Sequence, residues 1–228
     1  MDLLRIASDW HLAPRSPPAH ARLAVAFLRR ARADGASVIL NGDVFDDLFA
    51  GTGRGALVHA GVVAELDRLR GEGRLRRLRG NHDPGGGEER VVLDWPTIGR
   101  VIVTHGDGID PLHRSWLGRL GHAISLRAGS FALVRLAMAL AEVTARALVG
   151  RRILRGFRTR CVELVAREAC ALGVFGHIHA QHLAPGDPYA NAGWLHGGRL
   201  EYLELGPEGA RLRVLTIEDL AREAAGAR

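Results

Sequence analysis

The chain has 228 residues, 47% of them hydrophobic and 25% charged, an ordinary globular composition with enough apolar content for one substantial core, so a single domain over 1–228 is expected. All 31 basic residues are arginine, and the net charge of +6 suits an anionic substrate or surface as well as it suits a solvated arginine coat. No arginine-rich tail, nucleic-acid-binding motif or run of about 20 uncharged apolar residues is present, which argues against a nucleic-acid partner and a membrane-spanning helix.

In chain order, the first half alternates strand and helix. Leu3 to Ala7 reads as a strand, leaving no room for a signal peptide before it. Ala19 to Ala33 reads as a helix, with apolar spacing at Leu23, Phe27 and Leu28 and its end at Gly35. Ser37 to Asn41 is the next strand, followed by a helix carrying Val62, Val63, Leu66 and Leu69. Leu75 to Leu78, Val101 to Val103 and Val174-Phe175 are short apolar runs expected to be strands buried on both faces. Gly85-Gly86-Gly87 is read as a flexible loop. Leu200 to Leu205 and Arg211 to Leu215 are expected to pair antiparallel across the turn Gly206-Pro207-Glu208-Gly209, and a last helix near Ile217 to Ala224 caps the fold.

Five pieces placed behind these strands carry metal-ligating side chains: Asp9-Trp10-His11, Gly42-Asp43-Val44-Phe45-Asp46, Gly80-Asn81-His82-Asp83, Thr104-His105-Gly106 and Gly176-His177-Ile178-His179. In Asp9-x-His11 and His177-x-His179, an extended backbone would point both members of each pair the same way. Gly42, Gly80, Gly106 and Gly176 stand where loops must turn sharply against the ligands. Any one piece alone is more often ordinary polarity or a turn sequence. Five in order, each behind an apolar run, indicate a two-metal hydrolase in which mixed imidazole and carboxylate donors favour Mn, Fe or Zn.

About 70 residues separate His105 from His177, far more than one connection needs. Helices are expected at Leu112 to Ala123, Ser130 to Val149 and Phe157 to Leu172, so 112–172 reads as a helical insertion. Leu126, Leu133 and Leu140 recur every seven residues beside Arg127, Arg135, Arg146, Arg151, Arg152, Arg155, Arg158 and Arg160. An apolar and basic cover could accept acyl chains and phosphates or rest on a membrane interface; a packing subdomain or dimer contact are the competing readings. Cys161 and Cys170, nine apart in this helical stretch, are too far apart for a disulfide and are expected to be free thiols packed in a helix, as in a reducing cytoplasm.

The order Asp-x-His, Gly-Asp-x-x-Asp, Gly-Asn-His-Asp, His-Gly, Gly-His-x-His resembles the calcineurin-like metallophosphoesterase superfamily over Asp9 to His179. The resemblance implies an α/β fold, a four-layer α/β/β/α sandwich of two packed mixed sheets with a helical lid. It implies one metal on Asp9, His11, Asp43 and His179 and another on Asp43, Asn81, His105 and His177. His82 would meet the leaving-group oxygen, with Asp46 orienting it. The insertion, Gly42-Asp43-Val44-Phe45 and His105-Gly106-Asp107 are similar to the UDP-2,3-diacylglucosamine hydrolases of lipid A synthesis, peripheral membrane enzymes that use Mn and release UMP from a nucleotide-linked lipid. Arg158 and Arg160 are the positional candidates for phosphate contacts. Two departures from that family stand out: its best-known members carry Arg in place of His82, and a Gly-Asp-Trp in place of Gly193-Trp194. A soluble phosphodiesterase or phosphatase with another substrate is the alternative.

Overall fold

The structure, a computed structural model, describes residues 3–47, 53–110 and 154–226. Strand β1 (Leu4–Ala7) leads to helix α1 (Pro18–Ala33), β2 (Ser37–Asn41), the short α2 (Arg54–Val58), α3 (Ala60–Gly71) and β3 (Leu75–Leu78). Strands β4 (Arg90–Trp95) and β5 (Gly99–Thr104) and a 3-10 turn (Asp107–Ile109) follow. Residues 154–167 are helical (α4), and β6 (Leu172–Phe175), β7 (Tyr189–Asn191), β8 (Leu195–His196), β9 (Arg199–Gly206), β10 (Gly209–Thr216) and α5 (Ile217–Gly226) complete the order.

Two mixed sheets result. One runs β10-β9-β1-β2-β3, with β8 on β9; β1, β2 and β3 are parallel and β9 and β10 form the expected antiparallel hairpin. The other runs β4-β5-β6-β7, parallel from β5 to β7. The period of two along each strand sorts side chains into separate cores. Leu4, Ile6 and Ile39 of the first sheet meet Val101, Val103 and Val174 of the second between the sheets. Ala7, Val38 and Leu40 face outward against Leu23, Phe27 and Leu28 of α1 and Val62, Leu66 and Leu69 of α3. On the far side, Ile102 and Phe175 pack under Phe157, Cys161, Leu164 and Val165 of α4. Each fully buried side chain of this kind contributes about 1.5–3 kcal/mol. The chain is thus the four-layer α/β/β/α sandwich expected from its sequence.

Three expectations need correction, and one strand was not foreseen. β3 is not buried on both faces: Arg76 is exposed and Leu78 alone is fully buried, because β3 is the edge of its sheet. β4 was not anticipated, although Val91 and Leu93 alternate inward and Val92 outward as an edge strand should. The helix over Phe157 ends at 167 rather than at Leu172, which already belongs to β6; Ala169 takes a left-handed φ of 52° in the turn between them. Cys170 therefore lies beyond the helix and half-buried, whereas Cys161 is in the α4 core, where burial pushes its thiol up; both are free. The expected helices 112–123 and 130–149 lie outside the described residues, as do Arg127, Arg135, Arg146, Arg151 and Arg152. No described helix is long and apolar enough to cross a membrane.

The last helix is fastened by a capping box. Asp219 Oδ2 accepts the Thr216 N–H at 2.9 Å, while the Asp219 N–H donates to Thr216 Oγ1 at 3.1 Å. The Thr216 N–H and hydroxyl, with Arg222, hold the Asp219 carboxyl down at about 2. A depressed carboxyl contributes stability that is present above its unfolded value and lost as pH falls through the folded one. Thr216→Ala is therefore expected to cost about 1 kcal/mol in urea unfolding at pH 7 and somewhat less near pH 2, where the Asp219 carboxyl is partly protonated while the Thr216 hydroxyl still accepts the Asp219 N–H.

Candidate metal centre

The ligand loops all leave the carboxyl ends of parallel strands, where α/β sheets place their sites. Asp9 and His11 follow β1, Asp43 follows β2, Asn81 and His82 follow β3, His105 follows β5, and His177 and His179 follow β6. The local backbone is not the extended one expected for Asp9-x-His11 and His177-x-His179. Among the described residues six non-glycine residues have positive φ, and five are Asp9 (56°), His11 (45°), Asp43 (53°), His177 (69°) and His179 (53°). Each such residue costs of the order of 1–3 kcal/mol and persists where its surroundings enforce it. The paired side chains do converge, but by left-handed turns. Two glycines make the approach fit. A Cβ on Gly80 would stand 2.1 Å from Asp43 Oδ1, and one on Gly176 2.0 Å from Ser8 Oγ and 2.6 Å from Asp9 Oδ2.

Asp43, Asn81, His105 and His177 form one cluster. His105 Nε2 is 3.2 Å from Asp43 Oδ2 and 3.2 Å from Asn81 Oδ1, and His177 Nδ1 is 3.0 Å from the same Asn81 oxygen. The opposite ring nitrogens are engaged elsewhere: His105 Nδ1 lies 2.8 Å from the Asn41 carbonyl, an acceptor, and His177 Nε2 lies 2.8 Å from Asp110 Oδ2. In neutral rings the protons therefore sit on the outer nitrogens, and four lone-pair donors face one another. Such an arrangement suits a cation.

Asp9, His11, Asp43 and His179 form the other cluster. His11 Nε2 and His179 Nε2 stand 3.0 Å apart, 3.7 and 3.2 Å from Asp9 Oδ1, and His11 Nε2 is 3.9 Å from Asp43 Oδ2. Asp9 is fully buried, and its Oδ1 makes no well-aligned hydrogen bond, facing the His11 and His179 ring nitrogens. An ionised oxygen left in that position is costly unless a cation completes it. Its other oxygen accepts from Ser8 Oγ and from the His177 N–H. His179 lies flat against Trp194, with ring centroids 4.6 Å apart and planes 8° apart. Both clusters thus fit divalent ions, and Asp43 Oδ2 is the atom they share.

Electrostatics points the same way. Burial opposes charge on Asp9 and Asp43, yet His105 and the neighbouring imidazoles hold both carboxyls below the usual range. Burial likewise disfavours imidazolium at His105 and His11, but the charges of Asp43 and Asp9 hold His105 well above its ordinary value and raise His11. Two buried carboxylates therefore draw positive charge to this spot. Metal ions bound there would take the place of protons on the imidazoles.

Beside the clusters, His82 Nδ1 is 2.9 Å from Asp46 Oδ1, the partner expected from the sequence. The His82 ring lies edge-on to His11, centroids 4.6 Å apart, and its backbone N–H donates to Asp43 Oδ1 at 2.8 Å. Asp83, part of the quoted motif but assigned no task, binds the loops together: it accepts the N–H groups of Asp43, Val44 and Gly80 at 2.9, 2.9 and 3.1 Å. Burial, then the charge of Asp43, raises its carboxyl.

All nine expected metal and catalytic residues are thus brought together. The two phosphate candidates are not. Arg158 is on α4, tied to Asp187 Oδ2 at 2.5 Å and lying over Tyr189, on the outer face of the second sheet. Arg160 is on the exposed surface of the same helix. Sequence reading missed Asp110, Asp83 and Ser8; the only signal was proximity to a motif, and Asp110 stands five residues past His105 with none.

No protein-family model matches the chain, and no curated protein is similar to it in sequence. Several solved structures overlay on it loosely. A predicted phosphoesterase from Streptococcus pneumoniae TIGR4 is 15% identical, over 94% of this chain and 88% of its own, with a TM-score of 0.48. A dimetal phosphatase from Danio rerio is 12% identical over 94% and 98%, and a Vps29 variant from Entamoeba histolytica 13% identical over 94% and 99%, both with a TM-score of 0.46. These overlays are of chain path and assign no residue a role.

Proposed function

We propose that the chain is a dinuclear-metal phosphoesterase that hydrolyses a phosphate ester or pyrophosphate. The observation that carries this reading is the pair of converging donor clusters sharing Asp43, with the His82–Asp46 pair beside them. Two divalent ions held there would neutralise the phosphoryl oxygens and make a water nucleophilic at neutral pH. The chain's own residues supply the rest. Asp43 fixes the spacing between the two clusters through its single shared oxygen. Its other oxygen holds the His82 backbone, so the histidine is placed relative to the same point. In the doubly protonated ring, with His82 Nδ1–H directed at Asp46, Nε2–H is the group that meets the leaving-group oxygen; as the P–O bond breaks, that oxygen takes the Nε2 proton and leaves a neutral ring still bonded to Asp46 through Nδ1–H. Asp46→Asn is expected to lower kcat about tenfold with two metals still bound, less than the loss of His82 itself; unchanged kcat would remove Asp46 from the mechanism.

For the substrate, the resemblance in the ligand pieces and the insertion supports the pyrophosphate of UDP-2,3-diacylglucosamine, cleaved to UMP and the 1-phosphate of the diacylated sugar, with Mn2+ loaded and peripheral contact with a membrane. The second reading, a soluble phosphodiesterase or phosphatase, is favoured by the paired His82 and Asp46, since the best-known lipid-cleaving relatives carry arginine at that position. One assay separates them. Mn-loaded protein is given the diacylated sugar nucleotide in detergent, with UMP followed by chromatography, and in parallel bis(p-nitrophenyl) phosphate. UMP release supports the first reading. Cleavage of the chromogenic diester alone supports the second, and neither activity with two metals bound overturns the phosphoesterase reading.

A further inference from the structure

Asp110 carries a consequence that the ligand motifs do not contain. Its carboxylate is buried, 5% exposed, with Oδ2 2.8 Å from His177 Nε2. A buried carboxylate needs donors, and the imidazole N–H directed at it is one. That hydrogen bond selects the ring tautomer: with the proton on Nε2, the lone pair is on Nδ1, the atom 3.0 Å from Asn81 Oδ1 in the second cluster. The reverse tautomer would set a lone pair against a carboxylate and turn an N–H into the cluster.

The backbone places Asp110 firmly. From the ligand His105, Gly106 turns with a φ of 105°, where an added Cβ would meet the Phe157 ring at 2.8 Å. The 3-10 turn Asp107–Ile109 is then closed by Ile109 N–H to Gly106 O at 3.1 Å and Asp110 N–H to Asp107 O at 3.2 Å. Phe157 covers the far side, its ring centroid 5.9 Å from that of His177. A ligand on β5 and a ligand on β6 are thereby linked through five residues of chain and one carboxylate.

We propose that Asp110 is a positioning residue for the second metal cluster, holding His177 in the tautomer and orientation that present Nδ1 to an ion shared with Asp43, Asn81 and His105. This rests on the dinuclear reading above. Carboxylates behind metal-bound histidines typically contribute 10- to 100-fold in affinity. The effect is selective, because the hydrogen bond of Asp110 reaches His177, a member of that cluster and not of the one formed by Asp9, His11, Asp43 and His179.

The test is titration of metal-free full-length protein with Mn2+ by calorimetry, with elemental analysis of the product, and a histidine nitrogen NMR spectrum of the Zn2+-loaded protein. Wild type is expected to bind two ions, with His177 protonated on Nε2. Asp110→Ala is expected to weaken one of the two binding events, that of the cluster holding His177, about 100-fold while leaving the other within about twofold. Asp110→Asn keeps an acceptor of the same shape without the charge, so an intermediate loss of about tenfold and the same tautomer are expected. Equal loss of both events, or wild-type affinity in both variants, would overturn the proposal while leaving two-ion binding by wild type intact. Fewer than two ions in wild type would overturn the dinuclear reading and the proposal with it. Should Asp110→Ala not fold, the isosteric Asp110→Asn decides alone: two unchanged affinities overturn the role.

Discussion

Asp43→Ala is expected to leave the protein without a stable pair of metal ions and with hydrolysis below detection, a loss of at least about 10⁴-fold. One oxygen, Oδ2, is 3.2 Å from His105 Nε2 and 3.9 Å from His11 Nε2, so both clusters lose a donor at once. The other, Oδ1, releases the His82 N–H it holds at 2.8 Å. Truncation also removes one of the two buried charges that draw cations to the site, leaving the imidazoles facing one another without it. Elemental analysis after desalting is the measurement, and two ions retained per chain would show that Asp43 does not bridge. Asp43→Asn keeps the shape and the acceptor for His82 while removing the charge. It should therefore retain fold and loop geometry but still load poorly, which separates the electrostatic part of the role from the steric part.

His82→Ala is expected to behave oppositely: two metals bound with near-normal affinity, and kcat lower by about 100- to 10,000-fold. His82 is in neither of the two four-residue ligand clusters, and its Nδ1 is occupied by Asp46. The deficit should shrink for esters whose leaving group needs no proton. A p-nitrophenolate ester should then show a smaller loss than an alkyl phosphodiester under the same conditions. Equal losses for both would mean that His82 stabilises charge rather than donates a proton. Loss of metal along with activity would instead make it a ligand, an outcome that its closeness to His11 and Asp43, with donor atoms all within 4.8 Å, makes worth measuring.

The ligand set was legible from sequence because its chemistry is local: an apolar run ending at a glycine and a metal-binding side chain records both the strand and its end. The β9–β10 hairpin was legible for the same reason, since Gly206-Pro207-Glu208-Gly209 signals a turn between two alternating stretches. What was missed depends on the partner rather than on the residue. Asp110 is an ordinary acidic residue until the fold brings His177, 67 positions away, against it. Asp83 gathers three backbone N–H groups from two loops, a role no spacing encodes. The left-handed φ values of Asp9, His11, His177 and His179 were misjudged because local preference favours extended backbone there, and tertiary contacts override it. β3 was misjudged because burial on both faces depends on the layers that cover the sheet, which thin out at its edge, and sequence does not reveal which strand ends the sheet. Arg158 looked suited to phosphate in a list of arginines; in three dimensions its charge is met by Asp187.

The two sheets do not contribute equally to the site. Asp9, His11, Asp43, Asn81 and His82 come from the β1, β2 and β3 ends of one sheet, and His105, His177 and His179 from the β5 and β6 ends of the other. Between the sheets lies an apolar layer, crossed among the described residues by directional bonds such as Asn41 Nδ2–H to the Thr104 carbonyl and Trp95 Nε1–H to the Gly206 carbonyl. Ions held by donors from both sides would act as rivets through the two plates. The same ions that make the reaction feasible would then set the mechanical register of the whole sandwich, and a change in which metal is bound would be felt as a change in how the two halves of the molecule are fastened.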